Sequence, residues 1–446
     1  MRRAGPQSGP IPALNAAGRS STTDQMRLLY LAPDFGWPAL RGGQVRVLSQ
    51  LAVLSSLPEV ERIRVFWLSE DRASFTARAG LAREMPKVDV LDPIFHPIHL
   101  FQHPRYVPRV AWLRIVHGVP YLSGKWESPL VRSAIERELR GQPFDVVWLG
   151  ALGTARYLPL VRRLQPRARI VLDQHNVESD IWAQFARRQR GVRRAVAEAE
   201  WRRARRFEID VLREVDAVGA ISADDARAYR ELAGVEARVV PQVVSFERRN
   251  ETRAAPRACY VGTLTWHPNV RGLDWFCGQV WPHVRDLLPT ATLEIAGSGL
   301  EDGSRAAPLV PSAWRAPGIT VLGLVPELGP LYERSALMVA PVLGGSGVRM
   351  KLLEAFRNGV PVVTTPDGAR GLAVEPGREV FVESDPRAFA VRFAKVAMST
   401  ELQANLRGAG YAYLEQNHGL GVAQRVVRSL LGSAHRWADA PVEAAV

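Results

Sequence analysis

Cysteine is nearly absent from this chain. Among its 446 residues only Cys259 and Cys277 are thiols, each inside an apolar stretch (ACYVG and WFCGQ). That excludes a disulfide framework or a cysteine-rich zinc site, and reads as two buried thiols in a reducing compartment. Long apolar runs are missing too: no stretch approaches the roughly 20 residues that span a bilayer. Residues 1–25 are Gly-, Pro- and Ser-rich and lack the apolar segment of a secretory signal, so they are expected to form a disordered extension. The chain is therefore expected in the cytoplasm, at most peripherally attached to the inner face of a membrane. Acidic residues are the scarcer charge, 45 against 58 basic, for a net charge of +13. The excess attracts anions, whether nucleotides, phosphorylated carriers, acidic membranes or nucleic acid, without choosing among them. Gly297-x-Gly299 lacks a third glycine at the required spacing and an acidic partner, which argues against a nicotinamide-dinucleotide site.

What is present is the balance of a folded protein, 47% hydrophobic and 23% charged, at a length that suggests two or three domains. Short apolar runs recur at 27–33, 63–69, 145–151, 169–175, 217–222 and 238–244, separated by helical patterns, one of them near 43–56. Strands alternating with helices predict a parallel sheet covered on both faces. The polar, aperiodic stretch 247–256 is expected to be a linker between an N-terminal domain (26–246) and a C-terminal one (257–417). After it the alternation restarts at 258–264, 292–299, 319–325, 336–342 and 361–365, with helices near 270–288 and 348–358. A final helix over 418–433 is expected to pack back toward the N-terminal domain, followed by a loose tail (434–446). The fold class is thus α/β, two Rossmann-like domains facing a central cleft to which the C-terminal strand ends offer their loops.

The segment APVLGGSGVRMKLLEAFRNGVPVVTTPDG (340–368) is the most informative. A hydrophobic strand runs into Gly344-Gly345-Ser346-Gly347-Val348 and a helix starts at once. The glycines let backbone amides approach a ligand, and the helix start adds unpaired N–H groups. Arg349 and Lys351 place cations at a helix end whose dipole disfavours them, which points to an anionic ligand. Glu354 follows Lys351 by three residues and is a candidate acceptor for ribose hydroxyls. An ordinary loop with a solvated Lys-Glu pair is the plain alternative, but the convergence of glycines, cations and carboxylate after one strand favours a diphosphate site.

This segment resembles the family 4 retaining glycosyltransferases of GT-B fold, especially a branch carrying GGSGxRxKxLEA in glycan-assembly enzymes. The resemblance runs from about residue 27 to 432 and includes Pro33…Arg41-Gly42-Gly43, Asp173-x-His175-Asn176, VGTLTWHPNVRGLDWF (261–276), LEIAGSG (293–299) and VLGLVPELGPLYERSALMVAP (321–341). It implies a nucleotide-diphosphate sugar donor and an acceptor that is a glycan, a lipid-linked or a small molecule. It also implies no cofactor, and no metal site, since Asp89/Asp92 and Asp224-Asp225 do not fit a strand-end Asp-x-Asp. Donor binding would fall to Gly42, Gly43, Gly262, Thr263, Arg271, Gly344, Gly345, Ser346, Gly347, Val348, Arg349, Lys351 and Glu354. His175 would meet the donor sugar, with Asp173 and Glu178 nearby, and His175, Arg349, Lys351 and Glu354 form the expected catalytic set. The implied chemistry is a front-face substitution in which the leaving diphosphate helps deprotonate the acceptor, while the protein positions reactants and neutralises charge. Three departures stand out. Ser346 occupies the position of the first of the family's paired glutamates. Thr263 and Asn269 stand near its usual diphosphate-binding Arg and Lys, and Pro241-Gln242-Val243 replaces its Pro-Asn-Gly.

Residues 187–206 carry Arg187, Arg188, Arg190, Arg193, Arg194, Arg202, Arg203, Arg205 and Arg206, with Trp182 and Trp201 interleaved. Such runs are ordinarily a solvated helix face; the alternative is contact with an anionic membrane or a pyrophosphate-linked carrier. Residues 95–126, rich in aromatics, His and Pro, read as an acceptor-side flap. No recognition module accompanies the arginines, so nucleic acid is not an expected partner. The competing functions are a nucleotide-sugar epimerase of the same fold and a non-catalytic protein that binds nucleotide sugar or polyanion.

Overall fold

The computed structural model describes residues 25–33, 35, 42–69, 81, 83–96, 107–249, 255–300, 310–345 and 347–432. The expected extension, the middle of the expected linker and the tail lie outside them. The chain divides into two compact units, one ending at Val243 and regaining Leu420 onward, the other Val244–Gly419.

In the N-terminal unit the strands are β1 (Met26–Ala32), β2 (Val60–Ser69), β3 (Val88–Val90), β4 (Ile94–Phe95), β5 (Val146–Leu149), β6 (Arg169–Asp173), β7 (Ala217–Ala220) and β8 (Ala237–Val239). They form a parallel sheet of order β3-β2-β1-β5-β6-β7-β8, with β4 beside β2. Successive strand side chains point to opposite faces, so one apolar run feeds two cores. Leu29 and Leu31 of β1 pack with Val147 and Leu149 of β5 on one face, and Leu28 and Tyr30 with Val146 and Trp148 on the other. The second core is closed by helices Gly42–Ser56 and Leu420–Leu431, the latter burying Ala423, Val427, Leu430 and Leu431. Gln424 donates to the Ser56 hydroxyl at 2.9 Å and Arg428 pairs with Glu59 at 2.6 Å. The basic stretch is two helices rather than one, Glu178–Arg188 and Gly191–Glu214, because Gln189 and Arg190 are both extended.

The second unit holds β9 (Arg257–Val261), β10 (Thr292–Ala296), β11 (Ile319–Gly323), β12 (Leu337–Ala340), β13 (Val362–Thr364) and β14 (Val380–Val382), parallel throughout and ordered β11-β10-β9-β12-β13-β14. The single helix expected near 270–288 is His267–Trp275 and Trp281–Leu287 joined by a π turn, Phe276–Val280. Pro282 in the first turn of the later segment cannot donate a backbone hydrogen bond, a local reason for the irregularity. Cys259 and Cys277 are free and buried, and burial pushes both thiols up to about 12.

One buried ion pair ties the N-terminal unit together. Asp173, at the end of β6, accepts from Arg46 Nε at 3.2 Å and Nη2 at 2.8 Å, and from the Gln50 amide. Arg46 also donates to the Val240 carbonyl at 2.7 Å, and both charged side chains are almost inaccessible. Removing one partner of such a pair strands the other charge in the interior. Arg46→Met should therefore destabilise this unit by about 3–5 kcal/mol. Denaturant unfolding checks this; a midpoint equal to the parent's contradicts the structural role.

Candidate functional site

In the second unit the chain runs outward from β9 through β10 to β11, then returns to β12 and proceeds the other way through β13 to β14. The order reverses between β9 and β12, which are hydrogen-bonded neighbours with Leu337 opposite Ala258 and Met338 opposite Cys259. At such a switch point the two following loops diverge and leave a crevice at the strand ends. The loops here are Gly262-Thr263 after β9 and Leu343–Arg349 after β12. Gly344, Gly345 and Gly347 have φ of 90°, 87° and 80°, a left-handed backbone that side chains disfavour. Gly272 lets helix His267–Trp275 touch the second loop: a Cβ there would lie 1.5 Å from the Pro341 carbonyl oxygen.

Lys351 enters this edge from the first turn of helix Met350–Arg357. Its Nζ donates to Tyr260 Oη and to Asn269 Oδ1, both at 2.9 Å, and lies 4.4 Å from the Tyr260 ring centroid. Asn269, itself buried, donates in turn to the Thr263 carbonyl at 2.9 Å. Gly262 makes room, since a Cβ there would sit 2.9 Å from Nζ. No carboxylate pairs with Lys351 among the described residues. Burial, then the neighbouring Arg349 guanidinium, push its ammonium down to about 7. Two of its three N–H donors are engaged by neutral oxygens, which leaves the third and most of the charge uncompensated.

Arg349 is buried and turned into its own loop. Its Nη2 donates to the Gly344 and Gly345 carbonyls and its Nε to the Asp367 carbonyl, all at 3.0 Å, and its guanidinium lies 5.7 Å from the Trp266 ring centroid. The Gly344 amide, expected to face a ligand, donates instead to Asp367 Oδ2 at 2.7 Å. Arg349 and Asp367 thus shape the glycine loop from inside, at the two positions, 349 and 344, where direct contact with a diphosphate is expected.

The remaining candidates separate. Glu354 lies one turn beyond Lys351, where Oε1 accepts from Asn358 at 3.3 Å and Oε2 stands 3.7 Å from Arg357. Thr263 is exposed beside Gly262, and Arg271 is exposed on helix His267–Trp275. Val348 is half-buried against the core that holds Leu352 and Leu353. Ser346 lies outside the described residues, as does Arg41. Gly42 and Gly43 begin helix Gly42–Ser56 in the N-terminal unit. His175 follows β6 there. Its Nε2 is buried with no hydrogen-bond partner and stands 3.8 Å from Asp173 Oδ2. Burial drives its pKa down to about 4 against the pull of Asp173, so the ring is neutral at pH 7.

Residues 255–398 match the family model described as Glycosyl transferases group 1. Over 161 residues the chain is 26% identical to an uncharacterized 44.6 kDa protein in the cps region of Klebsiella pneumoniae, a match covering 36% of this chain and 42% of that protein. The chain therefore spans less than half the length of that relative. Among solved structures, Anabaena HepE in complex with UDP and glucose superposes with a TM-score of 0.60 at 14% identity, covering 91% of this chain and 99% of HepE. TarM superposes with a TM-score of 0.61 at 9% identity, covering 92% of this chain and 99% of TarM. Sucrose-phosphate synthase from Thermosynechococcus elongatus gives 0.58 at 14% identity, over 91% and 98%. The fold is GT-B. No helix among the described residues is long and apolar enough to cross a membrane.

In this GT-B chain Tyr260, Trp266 and Asp367 carry the site's geometry without having stood out in the sequence. Trp266 and Asp367 leave a trace, the one inside VGTLTWHPNVRGLDWF and the other in the Pro-Asp-Gly that follows β13. The chain has four lysines, Lys87, Lys125, Lys351 and Lys395, so selective lysine labelling yields four resolvable side-chain signals. The Lys351 signal should titrate near pH 7 and return to the ordinary lysine range on unfolding. A midpoint near 10 in the folded protein contradicts the enclosed, unpaired ammonium.

Proposed function

We propose that the chain is a glycosyltransferase that takes a sugar from a nucleotide-diphosphate donor and transfers it, with retention, to a hydroxyl of a glycan, lipid-linked or small-molecule acceptor. The observation that carries this reading is the uncompensated Lys351 ammonium at the switch point, beside Gly262 and the Gly344–Gly347 loop. A diphosphate supplies the charge that Lys351 lacks, and its departure from the sugar concentrates charge where the ammonium already stands. In the step itself the bond from the anomeric carbon to the leaving diphosphate oxygen breaks. The acceptor oxygen bonds to the same face of that carbon, and the acceptor proton passes to the departing diphosphate. Lys351 neutralises the leaving group, while Arg349 and Asp367 position the loop. Glu354 is placed for a ribose hydroxyl if its side chain leaves Asn358. In the N-terminal unit, the neutral ring of His175 meets a sugar hydroxyl only once its buried Nε2 is uncovered. The match to Glycosyl transferases group 1 and the likeness to HepE, seen with UDP and glucose, support the donor class.

The test is release of nucleoside diphosphate and formation of product from a panel of nucleotide sugars, with and without a crude lipid or glycan extract. Lys351→Ala should lower turnover by about 10²–10³-fold, the usual cost of losing one donor to a developing oxyanion. An unchanged rate sinks the diphosphate assignment. Binding without turnover across the panel would favour the non-catalytic alternative, and an isomerised nucleotide sugar the epimerase.

With a side-chain cation at the leaving group, we propose that the reaction is metal-independent. Activity should then survive EDTA. Complete loss, restored by magnesium or manganese, would place the neutralising charge on a metal ion instead.

A further inference from the structure

The N-terminal unit contains a cavity of about 270 Å³ between helix Gly191–Glu214, the segment His117–Ser123 and the 3-10 turn Leu152–Tyr157. Its polar wall is Arg156, Arg202, Arg203, Arg206 and His117, with Asp210 the one carboxylate among the lining residues. Arg202, Arg203 and Arg206 converge because residues three and four apart share a helix face. Arg156 is paired with Glu127 at 2.6 Å and Arg202 reaches Glu198 only at 3.9 Å. Arg203 and Arg206 have no carboxylate within ion-pair distance among the described residues. Without such a partner, Arg203 and Arg206 leave the cavity positive.

The wall is built rather than incidental. Glu200, buried on the same long helix, accepts from the Tyr121 amide and pairs with Arg114 at 2.9 Å. It thereby fixes both the His117–Tyr121 rim and helix Val107–Val116 to the arginine-bearing helix. That second helix carries an apolar edge: Trp112, Ile115 and Val116 are each more than half exposed, and the Trp112 ring stands edge-on to His117 at 4.5 Å between centroids. An arginine-lined recess therefore adjoins an exposed apolar strip. Guanidinium forks match phosphoryl oxygens in geometry and charge. The volume is below the roughly 300–1,000 Å³ of sites that enclose a whole drug-sized ligand, and suits a headgroup whose remainder lies outside.

We propose that this cavity binds the phosphoryl or pyrophosphoryl group of an amphiphilic acceptor, with Trp112, Ile115 and Val116 lying against its hydrocarbon. The word acceptor rests on the glycosyltransferase reading above; the binding site does not. The proposal narrows the acceptor to a phosphorylated lipid and gives the arginines of the second basic helix a ligand.

Calorimetric titration of the full chain with inorganic pyrophosphate and with monomeric farnesyl diphosphate tests it, using the parent, Lys351→Ala, Arg203→Gln/Arg206→Gln and Trp112→Ala/Ile115→Ser. Farnesyl diphosphate should bind Lys351→Ala more tightly than pyrophosphate does. The double arginine change, made in that background, should weaken it about tenfold or more, the loss expected for charge-assisted hydrogen bonds. Trp112→Ala/Ile115→Ser should erase the advantage of farnesyl diphosphate over pyrophosphate. Arg203→Lys/Arg206→Lys, which keeps the charge and loses the forks, should fall between parent and Gln variant and controls for folding. Equal affinity for the two probes, or farnesyl diphosphate binding within twofold of parent after the Gln changes, overturns the proposal. Nucleoside-diphosphate binding that ignores Lys351→Ala but a farnesyl diphosphate response that follows the arginines would sink the donor reading and leave this one standing.

Discussion

An ammonium group with no carboxylate beside it governs the binding edge of the C-terminal unit. Lys351 is held by a phenol and an amide, groups that fix its position without cancelling its charge. Each neighbour is there because of it. Gly262 stays small so that Nζ can approach the end of β9, and Asn269 joins it to the backbone of Thr263. Placing a charge in such surroundings costs desolvation energy, and the lowered pKa is the sign of that cost. An anion of matching charge would offset that cost, which is what the proposed diphosphate supplies.

The N-terminal unit treats its buried charge in the opposite way. Asp173 receives two bonds from Arg46 and one from Gln50, so its charge is paired in the interior. Glu208 is likewise occupied, accepting from the amides of Glu178 and Ser179 at 3.0 and 2.9 Å, although burial still raises its pKa to about 7. These saturated carboxylates hold helices and strands in register. Lys351, with no carboxylate partner among the described residues, and the unpartnered Nε2 of His175 differ from them.

What was legible in the sequence follows from range. The strands show because apolar runs bounded by turn residues are local: every run singled out overlaps a strand, though 238–244 shares only Arg238 and Val239 with β8, and the short β3, β4 and β14 match no run. The Gly344–Gly347 loop and Lys351 show because strand, glycines and cation are contiguous. Partners do not show. That Lys351 would lie against Tyr260 and Asn269, 91 and 82 residues away in sequence, depends on β9 and β12 being neighbours, which no local pattern states. Nor does the direction of the Arg349 guanidinium show: it donates to the Gly344, Gly345 and Asp367 carbonyls. Side-chain direction within a turn is settled by tertiary contacts. The basic stretch breaks at Gln189-Arg190, where Gly191 follows with a left-handed φ of 56° and starts the second helix, against the helix propensity of the flanking arginines and glutamines.

The choice of lysine at position 351 is itself informative in a chain with four lysines among 58 basic residues. A guanidinium keeps its proton at any pH a protein meets, and its planar fork needs acceptors arranged in one plane. Arg349, three bonds deep in loop carbonyls, shows what this chain does with arginine where fixed geometry is wanted. An ammonium is compact, rotates its donors freely, and changes protonation with its surroundings. Between Tyr260 and Asn269, burial and the Arg349 guanidinium lower its pKa to about 7, a response open to an ammonium and not to a guanidinium. An arginine there would carry its whole charge into the enclosed site at all times, with no means of relief. The arginines of the N-terminal cavity face no such constraint, since Arg202 and Arg206 are exposed and water shares their charge. The division of labour between the two cations therefore follows their partners rather than burial: arginine where carbonyls, a carboxylate or solvent hold the charge, as at Arg349, Arg46 and Arg206, and lysine where only a phenol and an amide do.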